Sequence, residues 1–375
     1  MPPADQVLQA IHASTETIAA NAPAVDAEGK FPQEGLRALA EADAFGFSVS
    51  PDLGGSGASL VQLAQACEAV GSACASTGMI YLMHCVTAAT VGAGGGPKTS
   101  EALRKMAERE ALGTLAFSER ATGAHFYAPE LKANRNGDGR VTVNGTKSFC
   151  TSAGFADYLL VLTQSDGEGA DMYLMDGDAP GVSYSGKWEG LGMAGNSSVA
   201  VKLDGVTFTD EDLVGERGKG GDLIFGVVAP FFLVGVSAVN VGIAQAAANA
   251  ATNHVKSRTY SDGTSLAEIQ YIQHLIADMD LATRQARLLV HNAAALGDAG
   301  DPGALVPIME AKVAATEAAQ AVTEKALTAT GGQGYTPSLP VERHLRDARA
   351  GAVMAPTNAV LRNWIGKALT GLPVP

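Results

Sequence analysis

Leu115-Ala116-Phe117-Ser118-Glu119-Arg120-Ala121-Thr122-Gly123-Ala124-His125 is the stretch on which the reading of this chain turns, with Val143-Asn144-Gly145-Thr146-Lys147-Ser148-Phe149-Cys150-Thr151-Ser152-Ala153-Gly154 as its companion. The first runs an apolar segment straight into a short polar cluster and a glycine-containing loop. The second sets an Asn-Gly pair before Thr-Lys, the mark of a hairpin turn. Around them lie short β-prone runs, Val141-Thr142-Val143, Tyr158 to Leu162, Met172 to Met175 and Val199 to Leu203, separated by Asn-Gly, Asp-Gly and glycine-rich turns. The span from Glu110 to Gly215 therefore reads as a small β domain.

Outward from it the texture is helical on both sides. Before it, Leu8, Ile11 and Ile18, then Leu36, Leu39 and Ala40, recur at helical spacing. Breaks fall at Pro51 to Gly57 and at Gly92 to Pro97. After it, Ala311 to Thr328 is rich in good helix formers and free of Gly and Pro. The expected class is α+β, with a helical domain over 1–110, a β domain over 111–220 and a second helical domain over 221–375.

Composition bounds what such a chain does. At 375 residues, 46% hydrophobic and 17% charged with mean hydropathy +0.10, it can bury a large core. A formal charge of -13 disfavours nucleic acid or an anionic membrane as main partner, since both ask for a cationic face. Cys67, Cys74, Cys85 and Cys150 show no CxxC spacing and read as buried free thiols, which fits a reducing cytoplasm. No signal peptide is evident at Met1 to Gln6. The apolar run Leu223 to Val239 contains Pro230 and leads to Asn240, so it reads as a buried helix. No cluster of side chains has metal-ligand spacing.

The two opening stretches resemble the flavin-contacting middle domain of the acyl-CoA dehydrogenase superfamily, and the order helical, β, helical is that superfamily's order. The resemblance implies an N-terminal helical domain, a middle β-barrel and a C-terminal four-helix bundle. It implies FAD as cofactor, with Phe117 and Ser118 of the Thr/Ser-Glu motif at the flavin pyrimidine. Phe149 and Thr151, in place of Trp-Ile-Thr, would supply an aromatic face and a hydroxyl. Gly242-Ile243-Ala244-Gln245 matches a helix motif of the family, and Arg258 would reach the FAD pyrophosphate. Gln270, the turn Gly331-Gly332-Gln333-Gly334 and Thr357 are carried over likewise, and Arg346-Asp347-Ala348-Arg349 completes the C-terminal pattern. In the family these C-terminal groups serve a neighbouring subunit's FAD, which implies a homodimer or homotetramer.

The departures bear on the chemistry. Dehydrogenation of an acyl thioester needs a carboxylate to remove the α-proton. The register that holds the family's Glu reads Met354-Ala355-Pro356-Thr357, and its alternative place holds Phe232, with Leu233 where a CoA-associated Arg is common. An apolar cavity lined by Phe231, Phe232, Leu233 and Ala355 is expected. His84 and His125 are the candidate replacement bases; His12, His254, His274, His291 and His344 read as structural or peripheral. The leading reading is oxidation of an acyl thioester or acyl-like metabolite with a non-standard base. One alternative is a flavin monooxygenase of the same fold, using FAD, FMN or exchangeable reduced flavin; another is a non-catalytic partner subunit of a heteromeric dehydrogenase.

Overall fold

In the computed structural model, which describes residues 1–137 and 139–374, a helical body surrounds one side of a two-sheet β domain. Its first part is α1 (Ala4–Glu28), α2 (Gln33–Glu41), α3 (Leu60–Ala73), α4 (Ala75–Gly94) and α5 (Thr99–Ala107). Ser59 and Gln62 start α3 with reciprocal side-chain to backbone bonds, a capping box that satisfies two of the amides a helix start leaves free. Helix α4 is apolar on nearly every face and buried from Ala75 to Val91. Such a helix belongs inside a core.

The strands are β1 (Gly113–Ala116), β2 (Ala133–Arg135), β3 (Val141–Cys150), β4 (Tyr158–Gln164), β5 (Ala170–Asp176), β6 (Val182–Ser185) and β7 (Val199–Phe208). They form a sheet of order β1-β4-β5 and another of order β2-β3-β7-β6. β1 runs parallel to β4, while the other pairings are antiparallel. Leu159, Val161, Tyr173 and Met175 of one sheet meet Val143, Val201, Leu203 and Phe208 of the other in a shared core. A bridge between Lys132 and Gln164 joins the sheets along one edge. The opposite residues of β4 and β5, Leu160, Leu162, Met172 and Leu174, join the helical core. This period-2 division is what a sheet buried on both faces requires.

The chain then enters α6 (Gly220–Leu223), passes through a π-helical turn at Ile224–Val228 and continues as α7 (Ala229–Ser257). Pro230 lacks the N–H that an α-helical register needs there, and the wider turn sits directly before it. Helices α8 (Gln270–Asp298), α9 (Leu305–Thr330), α10 (Val341–Val353) and α11 (Asn358–Leu369) follow. The run 220–257 is, among the described residues, the one long and apolar enough to cross a membrane, but two-thirds of its apolar window is buried within the fold. Helices α3 and α7 pack backbone to backbone: a Cβ on Gly242 would lie 2.4 Å from the Glu68 carbonyl oxygen, and one on Gly71 2.9 Å from Cα of Val239. All four cysteines are buried free thiols.

Candidate active site

A cavity of about 540 Å³ opens where the β domain meets the helices. Strand β1 delivers Leu115 and Phe117 to its wall, followed by Ser118, Glu119 and Arg120. Strand β3 delivers Ser148, Phe149 and Thr151. A register shift between Lys147 and Cys150 breaks the alternation of β3, and Phe149 there takes φ 53° with its ring 71% exposed. Bulges of this kind re-aim a side chain. Met79 and Met83 come from α4, Val228 from the π turn and Phe232 from α7, while Ala350, Val353, Met354, Ala355 and Thr357 close the C-terminal side.

Beneath the β wall lies a buried ion pair. Lys147 Nζ sits 2.7 Å from Glu119 Oε1, and both side chains are almost fully sequestered. The ammonium also donates to the Phe117 and Leu162 carbonyls. Glu119 in turn accepts the backbone N–H of Glu130 at 3.0 Å and of Leu131 at 3.1 Å. Burial lowers the Lys147 pKa against the pull of Glu119. Each charge is thus compensated, as a buried charge must be, and the carboxylate's hydrogen-bonding capacity is committed to structure.

Polar groups gather at one part of the wall. Thr151 Oγ1 and Ser198 Oγ lie 3.2 Å apart, and Thr114 Oγ1 donates to the Thr151 carbonyl at 2.7 Å. Asn196, also on the wall, has a buried Oδ1 with no hydrogen-bond partner. The loop carrying Met193 and Asn196 is held by Trp188 Nε1, which donates to the Met193 carbonyl at 2.8 Å, and by Asp347 Oδ1, which accepts the Met193 N–H at 2.5 Å. Burial pushes the Asp347 carboxyl up to about 6.

The two candidate histidines lie off this cavity. His84 is a fully buried residue of α4, its ring against Phe45 with centroids 4.7 Å apart. Its Nδ1 accepts the Gly113 N–H at 3.0 Å and its Nε2 lies 2.8 Å from the Phe45 carbonyl oxygen. Since Nδ1 accepts, Nε2 must carry the proton and donate, so the neutral tautomer is fixed. Burial lowers its pKa to about 4. The ring thus ties Phe45 and the start of β1 to α4, and His84 is not among the residues that line the cavity. His125 is exposed and makes an edge contact with Tyr127, while its neighbours Ala124 and Phe126 line the cavity.

Of the other sequence-derived residues, the structure brings Phe117, Ser118, Phe149, Thr151, Phe232, Ala355 and Thr357 together on one wall. Phe231 and Leu233 are not on it; Leu233 is 1% exposed and turned into the helical core. Helical rotation of about 100° per residue explains why Phe232 alone of the three faces the cavity. Arg258 lies at the end of α7, Gln270 at the start of α8, and Gly331, Gly332 and Gly334 cap α9, all away from the cavity. Sequence reasoning missed Met79, Met83, Trp188, Met193 and Asn196. It also missed the Glu119–Lys147 pair, although Lys147 shares the inward parity of Val141 and Val143 on β3.

Three family models match in sequence: the acyl-CoA dehydrogenase N-terminal domain over residues 6–110, its middle domain over 114–206 and its C-terminal domain over 234–370. The chain belongs to the acyl-CoA dehydrogenase family. It is 30% identical over 350 residues to the mitochondrial isobutyryl-CoA dehydrogenase of Dictyostelium discoideum, covering 92% of this chain and 83% of that protein. Butyryl-CoA dehydrogenase from Megasphaera elsdenii superposes with a TM-score of 0.92 at 28% identity, covering 98% of each chain. FMN-bound TdsC from Paenibacillus sp. A11-2 superposes with a TM-score of 0.89 at 22% identity over 98% of each chain, a likeness of fold.

As a member of this family the protein is a flavin-dependent oxidoreductase. The residues present fit a flavin. A planar, three-ring group needs apolar faces and hydrogen-bonding partners along one edge, and the cavity offers the rings of Phe117, Phe149 and Trp188 beside Ser118, Thr151, Ser198 and the unpaired Asn196 Oδ1.

Proposed function

We propose that this flavoprotein oxygenates a small, largely apolar substrate, in place of desaturating an acyl thioester. The observation that carries the proposal is the cavity wall: among its described residues the one carboxylate is Glu119, whose oxygens are taken by Lys147, Glu130 and Leu131. Ala355 and Phe232 have no proton acceptor, and His84 is buried on α4 off the cavity lining with both ring nitrogens bonded. Removal of an α-proton needs a base within hydrogen-bond reach. Oxygen insertion removes no α-proton: a reduced flavin held by these residues would supply two electrons and O2 the inserted atom, the second oxygen leaving as water with two protons from solvent.

The chain's own residues then have distinct tasks. Met79, Met83, Val228, Phe232, Met354 and Ala355 exclude water and give the substrate a soft apolar bed, thioethers adapting readily to its shape. Ser118, Thr151 and Thr357 orient the cofactor. Arg258, Gln270 and the turn at Gly331–Gln333 lie away from their own cavity, which supports their use by a second copy and a homodimeric or homotetrameric assembly. Exposed Tyr271, Leu288 and Tyr335 nearby suit burial between copies. Placement in the cytoplasm is part of the same proposal.

A second reading, acyl thioester dehydrogenation, is favoured by the relatives named above, and its proton acceptor would have to come from a second chain or from outside the described wall. Anaerobic mixing of the FAD-loaded protein with isobutyryl-CoA and butyryl-CoA separates the two. No bleaching of the flavin is expected, whereas O2 uptake after enzymatic reduction should accompany a mass gain of one oxygen atom in an apolar test compound. Bleaching by either thioester overturns the proposal.

A further inference from the structure

We propose that Lys312 is a positioning residue for the cavity, holding the segment Met354–Asn358 in place from behind. It lies on α9, fully buried. Its Nζ donates to the Pro356 carbonyl at 3.0 Å, to Asn358 Oδ1 at 2.9 Å and, more loosely, to the Met354 carbonyl at 3.4 Å. No carboxylate lies within ion-pair distance of it among the described residues, unlike Lys147. Desolvating an ammonium without a counter-charge is expensive, and burial brings its pKa down to about 7. Elsewhere the inward side of α9 is mostly apolar, with Ile308, Met309, Ala315, Ala319 and Val322 beside the uncharged Thr316 and Thr323, so a neutral residue would pack there at lower cost.

What the ammonium meets explains its presence. The carbonyls it binds belong to the end of α10 and the linker to α11, where helix geometry leaves oxygens without intrahelical partners. Pro356 interrupts the linker, so no ladder can take them up. The negative end of the α10 dipole adds to the attraction. Asn358 is fixed further, its Nδ2 donating to Thr316 Oγ1 at 3.0 Å, one turn along α9 from Lys312. The same short segment places Met354, Ala355 and Thr357 on the cavity wall. Lys312 thus sets the distance between that wall and the bundle, whichever oxidation the site performs.

The test compares wild type with Lys312→Met, which keeps the stem and removes the donors, and with Asn358→Ala, which removes one acceptor. Two readouts are taken: amide exchange of the peptide covering 350–360 without flavin, and the visible circular dichroism and Kd of added FAD. Lys312→Met is expected to speed exchange in that peptide about tenfold, to change the flavin's dichroic bands and to weaken FAD binding about tenfold; Asn358→Ala should move each in the same direction by less. A variant with a lowered melting temperature but unchanged exchange, dichroism and Kd has lost only packing and overturns the proposal. If Lys312→Met does not fold, unchanged exchange and dichroism in Asn358→Ala overturn it equally. If wild type binds no FAD, the flavin reading fails alone and the exchange result decides the role of Lys312.

Discussion

Removing the carboxylate of Glu119 should destabilise the protein far more than the loss of a surface charge. In Glu119→Leu the Lys147 ammonium keeps its two carbonyl acceptors, Phe117 and Leu162, but loses the one counter-charge it has among the described residues, within a fully buried setting. The N–H groups of Glu130 and Leu131 lose their acceptor as well. Breaking a buried pair from one side costs about 3–5 kcal/mol. With an unfolding entropy of about 2.1 cal/mol/K per residue over 375 residues, the slope is roughly 0.8 kcal/mol per kelvin, so the melting temperature should fall by about 4–6 °C. Differential scanning calorimetry on FAD-free protein measures this directly. The double variant Glu119→Leu with Lys147→Met removes both charges and should recover the part of the loss due to the unpaired ammonium, while the Glu130 and Leu131 N–H groups stay without their acceptor. A single variant melting within about 1 °C of wild type, or a double variant no better than the single, would refute the reasoning.

Three further outcomes follow from the site. His84→Ala strands the Gly113 N–H and the Phe45 carbonyl and should cost about 1–3 kcal/mol per orphaned group while leaving FAD content unchanged, as read by denaturation and the absorbance ratio. Burial raises the folded pKa of Asp347 from the ordinary carboxylate range to about 6, so its contribution to stability is full below about 4 and is lost as pH rises through 6. Wild type should therefore lose stability relative to Asp347→Asn, which keeps an acceptor for the Met193 N–H, across that window; parallel pH curves for the two proteins would contradict it. Arg258→Ala and Gly332→Val should each lower the FAD retained per chain after gel filtration, and retention equal to wild type in both removes these residues from the cofactor site.

The β domain could be read in the sequence wherever alternation and turns coincided, as at Val141 to Val143 and Tyr158 to Leu162, which became β3 and β4. The stretch that became β1 is four residues buried throughout, which periodicity cannot tell from any apolar run. Helix α9 followed from an uninterrupted series of helix formers. The cavity was half legible. Motif order put Phe117, Ser118, Thr151, Phe232 and Ala355 on it, but α4 is apolar on nearly every face, so nothing in the sequence showed which face met the cavity. Met79 and Met83 do, whereas His84, one residue further round the helix, points elsewhere. Side-chain pairings between distant segments, such as Asp347 with Met193 or Lys312 with Pro356, depend on tertiary placement and left no local trace.

The close crossing of α3 and α7 at Gly71 and Gly242 bears on how the protein is made. The β domain lies wholly between these helices in the chain, and the helical core cannot close until α7 has been synthesised. Up to that moment the faces of α3 and α4 that pack on α7 stay uncovered. Nascent chains that stall within the β domain would display those faces to solvent, the kind of exposed apolar surface on which incomplete chains aggregate. A larger side chain at Gly71 or Gly242 would prolong that exposure beyond release from the ribosome, and the damage would appear as lost soluble yield before any effect on the flavin cavity.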